Sequence, residues 1–237
     1  MTTRLFEEDG YLQEAEASVV AVSTDGVELD RTVFYARGGG QPGDSGVLIA
    51  PGGREVPIVD TVKGDGAAIL HIPADGAWGS VLKPGDRVVA RIDWARRHRH
   101  MRMHTCLHLL CALVDAPVTG GNLTAEKGRL DFDLPEASVD KELLTQALNE
   151  LIAADTRTSL EWITDADLAA QPELVKTMSV QPPTGAGSVR LVRIPGVDLQ
   201  PCGGTHVSRT GEIGPVRVTK IEKKSRLNRR ISVAFVE

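Results

Sequence analysis

The sequence predicts an α+β protein in which a small N-terminal β-barrel is followed by a two-layer α/β sandwich. Up to about residue 93, short apolar segments alternate with Asp-Gly, Pro-Gly and Gly-Gly turns, which is typical of a small barrel. After that point an Arg- and His-rich segment predicts a long helix. Helices and antiparallel strands alternate further on, as in a two-layer α+β domain. We therefore expect two domains, residues 1–93 and residues 94–237.

The N-terminal domain is predicted from segments rich in β-branched and apolar residues. Glycine, proline and aspartate separate these segments, as they do in consecutive short strands joined by turns. The predicted strands are residues 18–22, 27–29, 32–35, 47–50, 56–62, 67–72 and 87–92.

The C-terminal domain begins with the Arg- and His-rich helix, which is expected to end near Val114. A turn and a strand are predicted over residues 120–134. Ser138 is the expected N-cap of an amphipathic helix, and Thr164 with Asp167 has the spacing of a capping box that opens a shorter helix. The remaining predicted strands are residues 189–194, 214–222 and 230–236.

Composition limits the classes of protein that this chain can belong to. With 237 residues, 41% of them hydrophobic, it is ordinary for a soluble globular protein. No apolar run approaches the length of a membrane span, and the N-terminus is too acidic and polar for a signal peptide. Three cysteines fit reduced thiols that are available to a metal. We therefore expect a cytoplasmic protein with no membrane partner.

Two pairs of side chains predict a metal site. His104 and His108 are four residues apart, so in a helix their imidazoles lie one turn apart on the same face. Cys202 and His206 form the second pair, and the two glycines after Cys202 predict a turn. Three imidazoles and one thiolate suit tetrahedral zinc. We therefore predict one zinc ion per chain.

Three further residues in the helix bear on this prediction. Thr105 stands where the zinc-protease motif has its general-base glutamate, so the chain is not a protease of that type. Cys111 lies on the same helical face as the two histidines, and it is either an alternative ligand or a core residue. Cys106 lies on another face and is predicted to pack in the core.

The charge pattern indicates a polyanionic substrate. A net charge of −5 argues against a protein that coats nucleic acid, but positive charge is concentrated in two stretches. Residues 91–110 contain five arginines and one aspartate, and residues 217–230 contain seven basic residues and one glutamate. A basic surface near a metal site is typical of proteins that bind RNA; two solvated faces are the alternative.

One loop is unusually rich in glycine. Gly38, Gly39 and Gly40 leave backbone amides open to a ligand, and Gln41 has an amide that both donates and accepts hydrogen bonds. The alternative is a long hairpin loop of the barrel. A phosphate-binding P-loop is excluded, because no Gly-Lys-Ser/Thr follows.

In their order and spacing, the Thr32 segment, the glycine-rich loop, the HxxxH pair and the CxxxH pair resemble the alanyl-tRNA editing proteins called AlaX. The resemblance covers nearly the whole chain and suits a free-standing, medium-sized form, although the chain is also similar to the editing region of alanyl-tRNA synthetase. It implies a β-barrel that carries the glycine-rich motif, followed by a zinc-binding editing domain. It also implies hydrolysis of seryl-tRNA(Ala) and, in some members, of glycyl-tRNA(Ala).

The resemblance assigns roles to individual residues. Thr32 matches a position associated with recognition of the serine hydroxyl, and we predict that Thr32 and Gln41 act with a zinc-associated water. Substrate contacts are predicted for Thr32, Gly38, Gly39, Gly40 and Gln41. The residues that match the zinc ligands are His104, His108, Cys202 and His206. The predicted tRNA contacts are Arg97, Arg99, Lys223, Lys224 and Arg226.

The predicted partner is the acceptor end of mischarged tRNA(Ala), and no DNA partner is expected. Two other functions stay open at this point. The chain could be a zinc-stabilised RNA-binding module without catalysis, or a deacylase of another mischarged tRNA, since threonyl-tRNA editing uses a related domain. The sequence leaves the oligomeric state open.

Overall fold

The computed structural model describes residues 2–74, 79, 81–134, 140–178 and 187–236. The chain divides into two compact units, Met1–His98 and Arg99–Glu237. The first contains a closed barrel and the second combines helices with antiparallel sheets, so the predicted fold class is confirmed. Of the helices in the described ranges, none combines the length and the apolar character needed to cross a membrane.

The first unit is built from short strands. Six of them close a barrel in the order β2-β3-β7-β6-β5-β8, in which neighbouring strands are antiparallel, while β1 and β4 pair in parallel beside it. The strands are β1 (Thr3–Arg4), β2 (Glu14–Ser23), β3 (Gly26–Leu29), β4 (Arg31–Thr32), β5 (Gly46–Ile49), β6 (Glu55–Lys63), β7 (Ile69–Pro73) and β8 (Arg87–Ile92).

One predicted strand is shorter than expected. The prediction of a strand over residues 32–35 is wrong beyond Thr32, where β4 ends. The chain bends there, and the side chains of Val33 and Phe34 are fully buried in the barrel core. Apolar residues in a buried bend have the same composition as residues in a buried strand, which is why the pattern alone does not separate the two.

The barrel core contains a buried ion pair. Arg97 is 0% exposed, and its Nε is 2.9 Å from Asp44 Oδ2 and 3.1 Å from Asp44 Oδ1. The same guanidinium donates to the carbonyls of Val33 at 2.7 Å and Gly10 at 3.0 Å. The prediction that Arg97 contacts tRNA is therefore wrong, because its guanidinium is enclosed and used to join segments of the first unit.

A second buried polar group in the first unit is His71. His71 Nδ1 is 3.0 Å from the Val27 carbonyl, which only accepts, so Nδ1 carries the proton. His71 Nε2 then accepts a hydrogen bond from the Thr32 hydroxyl at 2.7 Å. The Thr32 oxygen in turn accepts from the Phe34 amide at 3.0 Å. Thr32 is therefore tied into the barrel by two hydrogen bonds.

The buried His71 predicts a loss of stability in acid. Burial lowers its pKa from 6.5 to about 4, against the smaller effect of the Val27 hydrogen bond. Between pH 6.5 and 4 the imidazole therefore stays neutral in the folded protein but takes up a proton in the unfolded chain. The contribution of His71 to the free energy of unfolding is fully present above pH 6.5, and about 3 kcal/mol is lost as the pH drops towards 4. Urea unfolding at a series of pH values measures this. His71→Gln is expected to flatten the profile over that range, and an unchanged profile would contradict the assignment.

The second unit contains two antiparallel sheets. A four-stranded sheet has the order β14-β15-β10-β9, and a three-stranded sheet has the order β11-β12-β13. The strands are β9 (Val118–Leu123), β10 (Lys127–Asp133), β11 (Ser159–Thr164), β12 (Ser188–Ile194), β13 (Asp198–Pro201), β14 (Val216–Lys223) and β15 (Asn228–Phe235). The turn and strand predicted over residues 120–134 are the hairpin β9-β10, and the sequence does not predict β11 or β13.

The described residues also contain three α-helices. They are α1 (Trp94–Leu113), α2 (Lys141–Ala153) and α3 (Asp165–Ala169). Ser138 lies outside the described residues, and the side chain of Asp140 caps α2 by accepting a hydrogen bond from the Leu143 amide. The capping box of Thr164 and Asp167 is confirmed at the start of α3. The boundary between the units falls inside α1, whereas the sequence places it at the start of that helix.

Candidate metal centre

The four predicted metal ligands lie together in the second unit. Cys202 Sγ is 3.6 Å from His104 Nε2 and 3.2 Å from His206 Nε2, and one donor atom from each of the four residues lies within 4.8 Å of the others. Donor atoms bonded to a tetrahedral zinc ion at about 2.0 to 2.3 Å lie roughly 3.3 to 3.6 Å apart. The group, which includes His108, therefore has the chemistry and spacing to hold a metal ion.

Close packing fixes the helix that carries His104 and His108. Met101 and Leu109 of α1 are fully buried. Strand β10 approaches this helix at Gly128, where a side chain would meet Met103 Sδ at 2.9 Å. A glycine at this position lets the sheet lie directly against the helix, which limits movement of the two histidines.

Arg190 of β12 holds the turn that carries Cys202. Its Nε donates to the Cys202 carbonyl at 2.9 Å, and its Nη2 donates to the Gly204 carbonyl. The Gly204 amide in turn lies 3.4 Å from Cys202 Sγ, where it stabilises a thiolate. The chain bends at Gly204, in the segment where the sequence predicts a turn, and a buried guanidinium fixes its shape.

A buried carboxylate orients His108. Its Nδ1 donates to Asp198 Oδ2 at 2.9 Å, which leaves Nε2 for a metal ion. Asp198 also accepts from Lys176 Nζ at 2.7 Å and from Gln200 Nε2 at 2.8 Å. The side chain of Asp198 is completely buried, so its charge is balanced inside the protein by the lysine and the imidazole.

A threonine hydroxyl orients His206 in the same way. Thr105 donates its own hydrogen to the Met101 carbonyl at 3.0 Å, so its oxygen accepts from His206 Nδ1 at 3.1 Å. The Val207 amide donates to the same oxygen at 3.2 Å. Thr105, which excluded the protease motif at the level of sequence, thus serves to direct His206 Nε2 towards the cluster.

The pKa shifts of Cys202 and His206 favour a metal ion, whereas that of His108 opposes one. Burial by itself raises the pKa of the Cys202 thiol, but electrostatic interaction with His104 and hydrogen bonds to the imidazoles of His104 and His108 lower it well below its usual value. Burial and repulsion from His104 lower the pKa of His206 to about 3. Burial also acts to lower the pKa of His108, yet hydrogen bonds to Asp198 and Cys202 raise it to about 9. A metal ion would therefore displace a proton from His108.

The other two cysteines are thiols rather than ligands. Burial raises the pKa of Cys106 to about 12, and burial together with the charge of Asp198 raises that of Cys111 to about 11. Neither belongs to the group of donor atoms found among the described residues. The alternative in which Cys111 replaces a loop ligand is thus not supported, and Cys106 packs in the core as predicted.

Comparison with known proteins covers both units. Residues 6–96 match the family described as tRNA synthetases class II (A), and residues 189–232 match the threonyl and alanyl tRNA synthetase second additional domain. The alanyl-tRNA editing protein AlaX-M of Methanosarcina acetivorans is 37% identical over the full length of both chains. That of Saccharolobus solfataricus is 34% identical, with 98% of each chain covered.

The chain belongs to the AlaX family. The alanine–tRNA ligase of Pyrococcus abyssi is also 34% identical, but there the match covers 94% of this chain and only 24% of the ligase. The match thus extends along both whole chains in these AlaX-M relatives, as the resemblance of the ordered motifs to AlaX predicts.

The glycine-rich loop of this AlaX chain is a tight turn. Gly38 and Gln41 exchange backbone hydrogen bonds of 2.9 and 3.2 Å, and Gly39 and Gly40 between them have φ values of +56° and +80°. Two consecutive positive φ values are typical of a type I′ turn and explain the two central glycines. The Gln41 side chain is buried. Its predicted role in catalysis, and the substrate contacts of the glycines, stay predictions.

The basic residues of the two predicted stretches differ in accessibility. Arg99 is partly buried, and its Nε donates to the Ala125 carbonyl at 2.7 Å. Lys223, Lys224 and Arg226 are exposed near the hairpin between β14 and β15, where Lys224 lies 3.5 Å from Glu222. Contacts of this hairpin and of Arg99 with tRNA stay predictions.

Four residues that support the AlaX metal centre were missed at the level of sequence. Asp198 and Gln200 lie two residues apart on β13, but this strand has only four residues, too few for its pattern to predict a strand. Arg190 and Lys176 are separated from the ligands in sequence by 12 residues or more. Only the pairing of β12 with β13 and the fold of the preceding segment bring them to the site.

Proposed function

We propose that this chain is an aminoacyl-tRNA hydrolase that deacylates seryl-tRNA(Ala) at a zinc centre formed by His104, His108, Cys202 and His206. The observation that carries the proposal is this cluster, in a chain similar over its whole length to proteins named alanyl-tRNA editing proteins. Mixed imidazole and thiolate ligands at tetrahedral spacing favour zinc over magnesium or calcium, which prefer oxygen ligands.

Hydrolysis of an aminoacyl ester needs an activated water and stabilisation of a developing oxyanion. Bound zinc would supply a Lewis acid for both. The protein supplies the position and charge of the ligands. Three of these are buried imidazoles, whereas Cys202 is half-buried and is followed by the exposed Gly203, so solvent reaches the cluster from that side.

The ligand count bears on catalysis. Four protein ligands complete a tetrahedral shell, whereas catalytic zinc keeps an open position. We therefore propose that one ligand is exchangeable or that the ion accepts a fifth. This proposal would be contradicted if the absorption spectrum of the cobalt-substituted protein did not change on addition of a seryl-ester analogue. Zinc would then only position the substrate, and Gln41 and Thr32, to which the AlaX resemblance assigns catalytic roles, would have to hold the attacking water.

Thr32 is the proposed determinant of serine specificity, by resemblance. A site that bonds a substrate hydroxyl discriminates strongly against a substrate that lacks it. Thr32 is 0% exposed, so this role would require the substrate to reach a buried hydroxyl. Because that hydroxyl already donates to His71, it can only accept a further hydrogen bond, so the serine hydroxyl would be the donor. Glycine has no hydroxyl, and its cleavage would depend on pocket size instead.

Thr32→Val is expected to have two effects. It leaves the buried His71 Nε2 and the Phe34 amide without partners, which is expected to cost about 2 kcal/mol of stability. If Thr32 also recognises serine, deacylation of seryl-tRNA(Ala) falls more than that of glycyl-tRNA(Ala), with metal content unchanged. Thr32→Ser keeps the hydroxyl and is the matched control. Equal losses on the two substrates would remove the recognition role and leave the structural one.

The proposal is tested by incubating the protein with seryl-tRNA(Ala) and alanyl-tRNA(Ala), with and without a chelator, and following release of the amino acid. Turnover with serine, little with alanine, and loss after chelation are expected. Retention of the RNA without turnover would make the chain a zinc-stabilised binding module. Turnover of threonyl-tRNA in place of seryl-tRNA(Ala) would change the substrate but keep the reaction.

A further inference from the structure

Strand β11 carries two exposed apolar side chains. Trp162 is 52% exposed and Leu160 is 40% exposed, and β11 is the outer strand of the sheet β11-β12-β13. Tryptophan is highly buried on average, so an indole half in solvent beside a second apolar side chain indicates a contact surface. Neither residue has a role in the metal centre described above.

The strand register puts Trp162 in the same row as a metal ligand. Trp162 lies directly opposite Arg190 in β12, and the Cys202 amide donates to the Arg190 carbonyl at 3.1 Å. Neighbouring strands are separated by about 4.8 Å, so two strand spacings separate the α-carbons of Trp162 and Cys202 by about 10 Å.

The indole also lies on the face of the sheet that supports the metal centre. Residues opposite each other in adjacent antiparallel strands point to the same face. Leu160 is opposite Val192, which is opposite Gln200. Gln200 Nε2 lies 3.0 Å from His108 Nδ1. Leu160 and Trp162 are two residues apart on β11 and so point to the same face. They therefore extend the face of the sheet on which Gln200 contacts His108.

We infer that Trp162 is the platform on which the 3′-terminal adenine of the tRNA stacks while its aminoacyl ester lies at the metal centre. The inference rests on the proposed function, because that function places the terminal ribose beside Cys202. One nucleotide covers the distance from there to the indole. Every base has a π-face, so an exposed aromatic binds a terminal base without reading its sequence. Leu160 widens the apolar platform.

Steady-state deacylation of seryl-tRNA(Ala) by the full chain tests this inference. Trp162→Ala is expected to raise KM about tenfold and to leave kcat within about twofold, since stacking is lost while the ligands are untouched. Trp162→Phe keeps an aromatic face and is expected to stay near wild type. Leu143→Ala, which removes an exposed apolar side chain from α2, is the matched control and is expected to have no effect.

Binding of an uncharged minihelix RNA that copies the acceptor stem of tRNA(Ala) and ends in CCA separates stacking from other effects. Removal of its terminal adenosine is expected to weaken binding to wild type about tenfold and binding to Trp162→Ala hardly at all, because the two changes remove one contact. Additive losses, an unchanged KM, or a lower kcat at unchanged KM would overturn the inference. So would an altered oligomeric state of Trp162→Ala with unchanged RNA affinity.

The two proposals can fail separately. If wild type releases no serine from seryl-tRNA(Ala), the proposed function fails, whereas the minihelix comparison still decides whether Trp162 holds the terminal base. If wild type is active and Trp162→Ala matches it in KM and in minihelix binding, only the stacking inference fails.

Discussion

Arg97→Met is expected to destabilise the protein by about 3 to 5 kcal/mol, because it leaves the buried Asp44 carboxylate without its counter-charge. The substitution also removes the donors to the Val33 and Gly10 carbonyls, so these two segments lose their common partner. Urea unfolding of the full chain, followed by circular dichroism, measures the loss.

The same substitution at Arg87 is the matched control. Arg87 pairs with Glu16 at 3.0 Å in the same barrel, but both side chains are mostly in solvent, where an ion pair contributes little. Arg87→Met is therefore expected to unfold like wild type. Equal effects of the two substitutions would mean that the buried pair contributes no more than a surface pair does.

Asp198→Ala is expected to weaken metal binding by about 10- to 100-fold, which is the usual effect of removing the acceptor behind a ligating histidine. His108 loses the partner that directs its Nε2 to the cluster, and Lys176 loses its buried counter-charge. Competition for the ion with a chromophoric chelator at fixed pH gives the affinity directly, without reference to activity.

The control for this prediction is Glu222→Ala. Glu222 also pairs with a lysine in the second unit, Lys220 at 2.8 Å, but near the exposed hairpin between β14 and β15, so metal affinity should not change. Lys176→Met is expected to have a smaller effect than Asp198→Ala, because the carboxylate then still holds His108. A folded Asp198→Ala protein with the affinity of wild type would show that the carboxylate does not orient the ligand.

Much of the fold could be predicted because its signals are local. Alternating apolar residues and Gly-, Pro- and Asp-containing turns predict most barrel strands, and the spacing of Thr164 and Asp167 predicts a helix start that forms as expected. The errors have local causes too. The apolar residues of the bend at Val33 resemble a strand, and β13 is only four residues long, too short for a clear alternation.

The charge pattern was less informative than the ligand pattern. Arginines count equally in a sequence whether they face solvent or a buried carboxylate, so Arg97 was assigned to RNA although it stabilises the barrel. The metal ligands are different, since the two pairs together supply the four nitrogen and sulfur ligands that tetrahedral zinc takes.

The sequence alone determined which side chains can bind the metal, because the spacing within each pair is set by a helix turn or a glycine turn. It also determined membership of a family, since the motifs occur in a fixed order. Only the tertiary structure decided what holds those side chains. Asp198, Lys176 and Arg190 act through hydrogen bonds across strands and between distant segments, and such contacts leave no periodic signal in the chain. The position of Trp162 two strand spacings from Cys202 likewise depends on strand register, which is a property of the folded sheet.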